Sequence, residues 1–150
     1  MAFKKVGAPI AITGQIASQT YSGVENRIQL FDGKFTTGYR VIGFTVTPNQ
    51  PLSEHYIMGL VSTEPKADLA YWDFSDIEEV AWSTWNLSSG GDGTFAWGKA
   101  RVDNMAVEDL WIRCYDAGEG DPVNYEIILQ KYEFDAWRGA LGMVRNRSQA

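Results

Sequence analysis

Thiol and imidazole chemistry are nearly absent from this chain. Its 150 residues include one cysteine, Cys114, and one histidine, His55. One cysteine excludes an internal disulfide framework and any thiolate metal cluster within one chain. One histidine leaves a His-rich metal site or a His-based triad almost nothing to draw on. No apolar run reaches the ~18 residues of a membrane span, so no membrane partner is expected. The opening "MAFKKVGAPIAITG" has two lysines but no sustained apolar stretch of the signal-peptide kind. Synthesis in a cytosol is expected. The phosphate-cradling loops GxGxxG and GxxxxGKS/T are missing too, and no cofactor is expected.

What is present fits a single globular domain. A chain of this size hides roughly 68–70% of its unfolded surface on folding, so it needs no covalent staples. Aromatic residues make up 13% of it. Each buries about 150–250 Å², so they will dominate any core or interface.

Charge is unevenly spread. Residues 1–53 carry five Lys/Arg and two acids, residues 54–135 five Lys/Arg and seventeen acids, and residues 136–150 three Arg and no acid. An acidic body with two basic ends is soluble, and basic residues suit a helix C-terminus. Alternatively, the basic ends, Lys4 and Lys5 with Arg138, Arg145 and Arg147, meet an acidic surface: a neighbour's body or packaged nucleic acid. They lack the aromatic interleaving of a nucleic-acid groove.

Residues 1–26 are rich in Gly, Ala, Ser, Thr and Gln and read as an extended N-terminal arm, with "PIAITGQIA" able to join a sheet edge. Its order is expected to come from a neighbouring chain. From residue 27 to 134 the pattern is strands: "RIQLFDG", "TGYRVIGFTVT", "HYIMGLVST", "IEEVAWSTWNLS", "GTFAWGKARV", "EDLWIRCYD" and "VNYEIILQKYEF". Gly, Pro and Asp turns separate them. "SGGDG" and "AGEGDP" read as hairpin loops. In the second segment, period-two alternation sets Arg40, Ile42, Phe44 and Val46 against Tyr39, Val41 and Thr45. About eight short strands without intervening helices argue an all-β antiparallel sandwich, jelly-roll-like.

Residues 135–150 change period. Trp137, Ala140, Leu141 and Val144 fall at i, i+3, i+4 and i+7, the stripe of a short amphipathic helix with Asp135 as N-cap and a basic tail. Gly139 and Gly142 weaken it by roughly 1 kcal/mol each relative to Ala. A helix so marginal must dock, on its own sandwich or on a neighbour.

The stretch "EVAWSTWNLSSGGDGTFAWG" holds three of the six tryptophans. Trp82 and Trp85 are an odd number apart and so point to opposite faces of a regular strand; only one is expected in the core. Trp111 alternates with Asp109 and Arg113, an outer-face pattern, while Leu110, Ile112 and Cys114 read as core. Large aromatics in excess of a core mark an interface or a ligand groove. The candidate interface residues are Trp85, Trp97, Trp111, Trp137, Leu141 and Val144.

Carboxylates are the only plausible catalytic groups. Asp73, Asp76, Glu78 and Glu79 cluster, but Glu78 and Glu79 are sequential and face opposite ways on a strand, so no glycosidase pair is implied. "DFSD" and "SGGDG" could offer oxygens to calcium, yet neither has the EF-hand pattern. His55 reads as a strand-start surface residue. No catalytic and no metal residues are assigned.

The ending "EDLWIRCYDAGEGDPVNYEIILQKYEFDAWRGALGMVRNRSQ" resembles the ends of small virus-encoded structural proteins, including single jelly-roll capsid and decoration proteins. The resemblance covers about the last third of the chain. It implies a non-enzymatic protein that assembles with copies of itself, and with other virion proteins, in a virion shell. The alternative is a carbohydrate-binding β-sandwich module. It needs a coplanar aromatic pair, for which Trp72 with Tyr71, or Trp97 with Trp85, are the candidates.

Overall fold

Apolar residues at alternate positions, cut by Gly, Pro and Asp turns, condense into eight strands. These are β1 (Lys4–Ile16), β2 (Asn26–Ile28), β3 (Thr37–Pro48), β4 (His55–Ser62), β5 (Glu79–Leu87), β6 (Thr94–Ala100), β7 (Leu110–Asp116) and β8 (Val123–Glu133). The computed structural model describes residues 4–17, 26–31, 33, 36–65, 72–88, 93–101, 104–118 and 120–135. The C-terminal helix expected over 135–150, with Trp137, Arg138, Leu141, Val144, Arg145 and Arg147, lies outside the described residues except for Asp135.

The strands form two antiparallel sheets, β1-β8-β3 and β2-β7-β4-β5-β6, a β-sandwich. The pairings nest: β1 with β8, β2 with β7, β4 with β5. The pair that would complete the series, β3 with β6, has no ladder. Instead β6 extends the larger sheet beside β5. A hydroxyl helps to span the gap: Ser83 Oγ of β5 donates to the Trp97 carbonyl at 3.0 Å and accepts from the Val46 amide at 3.2 Å.

The core lies between the sheets. Val41, Phe44 and Val46 of β3, with Val123, Ile127 and Leu129 of β8 and Ile16 of β1, pack against Ile57 and Val61 of β4, Ala81 and Trp85 of β5, and Leu110, Ile112 and Cys114 of β7. Each large aliphatic side chain fully buried this way contributes roughly 1.5–3 kcal/mol.

Four expectations change. The described part of the arm, Lys4–Ile16, is a strand of its own chain, paired with β8 from Lys4–Glu133 to Ile16–Val123. Its residues Ile12 and Ile16 reach the core of the same chain. β2 stops at Ile28, short of the expected strand; beyond it the Asp109 carboxylate, not a strand, accepts the amides of Leu30 and Phe31 at 3.0 and 3.2 Å. In β3 a register shift between Val41 and Gly43 breaks the alternation. Val41 therefore joins Phe44 and Val46 in the core, and Ile42 turns outward, 41% exposed. Finally, "AGEGDP" is not a hairpin: β7 and β8 belong to different sheets, and this loop crosses between them.

Gly98 sits where β6 passes over β3. A Cβ there would strike the carbonyl oxygen of Phe44, a backbone atom that cannot swing away. Gly98→Ala is expected to lower stability by about 1–3 kcal/mol, read as a shift of the urea midpoint. An unshifted midpoint would mean that β6 does not hold its place against β3.

Candidate functional site

The outer face of the five-stranded sheet carries the surplus aromatics. On β6, Phe95, Trp97 and Lys99 share one face; opposite them on β5 stand Asn86, Thr84 and Trp82, and beyond those on β4 stand Tyr56, Met58 and Leu60. Phe95 is 57% exposed, Trp97 37%, and Tyr56 and the loop residue Phe74 are exposed as well. Trp72 packs against Trp97, ring centroids 5.7 Å apart and planes tilted by 33°, and its Nε1–H donates to the Gly59 carbonyl at 3.2 Å.

Trp82 is buried on this same outer face. Phe74 lies over it at 4.4 Å, and the Arg101 guanidinium is 5.2 Å from its ring. Its Nε1–H donates to Glu79 Oε1 at 2.9 Å, which also accepts the Asp73 amide at 2.9 Å. Arg101 Nη2 in turn donates to the Phe74 carbonyl. The loop that begins this cover is thus tied to the strand beneath it.

The candidate interface residues are dispersed. Trp85 is a correction: it is 9% exposed and belongs to the core, because β5 turns it inward with Ala81. Trp85 and Trp97 therefore occupy opposite faces and form no pair; Trp97 is level with Thr84, and Trp85 with Ala96. Trp111 lies on the outer face but at the other end, level with Ser62 of β4 and Arg27 of β2. The Arg27 guanidinium stands 6.0 Å from its ring. Lys4 and Lys5 are exposed at the start of β1, on the other sheet. Tyr71 lies outside the described residues, and the partner of Trp72 is Trp97. The residues missed were Tyr56, Phe74 and Phe95. Phe95 was signalled by its spacing of two from Trp97; Phe74 sits in a loop, where no periodicity applies.

The groups with chemistry are engaged inside the fold. His55, expected at the surface, is fully buried beside Asp116, also buried. Its Nδ1 is 2.6 Å from Asp116 Oδ2 and its Nε2 2.8 Å from the Gln50 carbonyl. Both ring nitrogens face acceptors, the arrangement of an imidazolium. Burial opposes that charge, but the hydrogen bonds to Asp116 and Gln50 and the charges of Asp116 and Asp121 prevail, raising the His55 pKa above 6.5. Asp116 Oδ1 also accepts the amides of Tyr56 and Gly118. Burial pushes the Cys114 thiol up to about 12.

The acid cluster divides: Asp73 is exposed and Asp76 half-buried in the loop, while Glu78 and Glu79 are covered. Asp73 Oδ1 accepts from Ser75, and Asp76 Oδ1 from the Glu78 amide. Among the described residues no three His, Cys, Asp or Glu side chains gather as a metal site. "SGGDG" lies outside the described residues apart from Gly93.

No protein-family model matches the chain, and no curated protein is significantly similar to it.

The buried pair makes stability depend on pH. The folded-state pKa of His55 exceeds its unfolded value, so its contribution is complete below about pH 6.5 and is lost as pH rises through the higher folded-state value. Thermal melting of wild type is expected to fall across that window, while His55→Ala starts lower, by about 3–5 kcal/mol, and lacks this dependence. An identical pH slope in both proteins would refute the pairing.

Proposed function

We propose that this chain is a non-enzymatic structural protein that associates with copies of itself, a virion capsid or decoration component built on a jelly-roll sandwich. The observation that carries the proposal is β6. Every residue of β6 from Thr94 to Lys99 is exposed, its outer face is aromatic, and it ends the sheet. Proteins guard open edges because unpaired strands recruit other chains, and clustered exposed aromatics mark contact surfaces.

The nested order of pairing supports the jelly-roll reading, an architecture shared by viral capsid and lectin domains. The resemblance of the last third of the sequence favours the virion. Lys4 and Lys5 lie exposed on β1, free to meet an acidic neighbour or packaged nucleic acid. For a non-enzymatic role speak His55, with both ring nitrogens occupied, and Cys114, buried and held protonated near neutral pH. Trp72 and Trp97 partly cover one another rather than lying side by side, which disfavours a carbohydrate platform.

Light scattering coupled to size-exclusion chromatography, over a wide concentration range, tests this. The expected mass is a multiple of the 16.8 kDa chain. A monomer at every concentration that binds a glycan array would replace the proposal with the carbohydrate module.

A further inference from the structure

We infer that β6 pairs antiparallel with β6 of a second copy of this chain about a two-fold axis at Trp97, joining two five-stranded sheets into one of ten strands. The inference rests on the self-association proposed above and names its surface. β1 opens with Lys4 and Lys5, has Pro9 within it, and carries a register shift beside Gly7, whose φ is 71°. Charges, proline and irregularity are the ordinary guards of an edge. β2 has three residues. The free side of β3 is taken up by a two-way bridge between Tyr39 and Ala106, at 2.8 and 2.7 Å, and by Ser83 at Val46. β6 has neither proline nor irregular register, and among the described strands none pairs with its second side.

The hydrogen-bond phase of β6 follows from one contact. Arg101 N–H donates to the Val80 carbonyl at 2.7 Å, and the register places these two residues opposite each other. Backbone groups alternate in direction along a strand. Lys99, Trp97 and Phe95 therefore direct their amides and carbonyls toward β5, and Ala100, Gly98, Ala96 and Thr94 direct theirs outward.

That phase makes the strand complementary to itself. About an axis at Trp97, Ala96 of one copy faces Gly98 of the other, and Thr94 faces Ala100, each with outward amide and carbonyl. Such an interface is isologous and closes as a dimer. Trp97 meets the partner's Trp97 at a position without direct hydrogen bonds, where side chains come closest. Phe95 meets the partner's Lys99, an ammonium against an aromatic ring. The chain is acidic overall, yet residues 93–101 hold Lys99 and Arg101 and no acid, so the contact brings no carboxylates together.

Two variants test it. In Ala96→Pro the lost amide points outward, a position where an edge strand accepts proline. It should fold and be monomeric by light scattering, with a melting temperature that no longer rises with protein concentration as that of a dimer does. In the double variant Phe95→Cys/Lys99→Cys, the two cysteines of one copy lie about 13 Å apart along the strand, too far to bridge. Oxidation should link two chains, while each single variant stays unlinked because its copies are separated by the same distance. Cys114 is buried and takes no part. If wild type is a dimer but Ala96→Pro folds and remains one, or the double variant fails to cross-link, the interface lies elsewhere and self-association alone survives. If wild type is monomeric throughout, both proposals fall.

Discussion

Three strands have to cover five. The β1-β8-β3 sheet is narrower than the sheet it packs on, and the distribution of buried and exposed surface follows from that mismatch. Where β3 and β8 lie over β4, β5 and β7, side chains of both sheets interdigitate into one core. At β6 the cover runs out. Thr94, Ala96 and Gly98 point inward yet stay exposed. A large residue there would gain little burial, and at Gly98 it would strike the carbonyl of Phe44. Small inward residues and large outward ones are the composition suited to a strand lying beyond the roof.

Buried polar groups then hold the parts that apolar contact holds poorly. Ser83 stands in for a missing ladder between β3 and β6 with two hydrogen bonds. His55 joins the turn after β3, the start of β4 and the end of β7 through Gln50 and Asp116. Glu79 fastens Trp82 and the loop at Asp73. Each ties in a segment that no ladder holds, the free side of β3, the turn at Gln50 or the loop at Asp73, and each is fully effective only because its partners are fixed by the sheets around it.

The strand segments were legible in sequence because alternation and turn residues report on local backbone. "EDLWIRCYD" and "VNYEIILQKYEF" contain β7 and β8 with ends moved by at most two residues, and the inward set Leu110, Ile112 and Cys114 was readable too. Alternation fails where register slips. The bulge at Val41–Gly43 reverses Ile42, and nothing in "YRVIGF" announces it beyond a glycine. Pairings across sequence were not legible: His55 and Asp116 are 61 residues apart, and Trp72 reaches Trp97 only after β5 has intervened. Trp82 and Trp85 were divided correctly between two faces, but not which ring lay in the core. Both are buried, since the outer face has a cover of its own in Phe74 and Arg101.

β8 lies between β1 and β3, the sole sheet partner of either among the described strands. A ribosome adds residues at about 5–20 per second, so β1 and β3 emerge long before the strand that joins them. β4, β5 and β6 by contrast are sequential neighbours, able to pair as soon as they are made. Synthesis therefore delivers half of a sandwich with its apolar face open, and the other half arrives with residues 123–133. Contacts such as Lys4 with Glu133 close nearly the whole chain, the kind of distant pairing that slows folding. In the living cell the vulnerable form of this protein is the nascent one, and its exposure lasts until the final described strand slides between two that have been waiting for it.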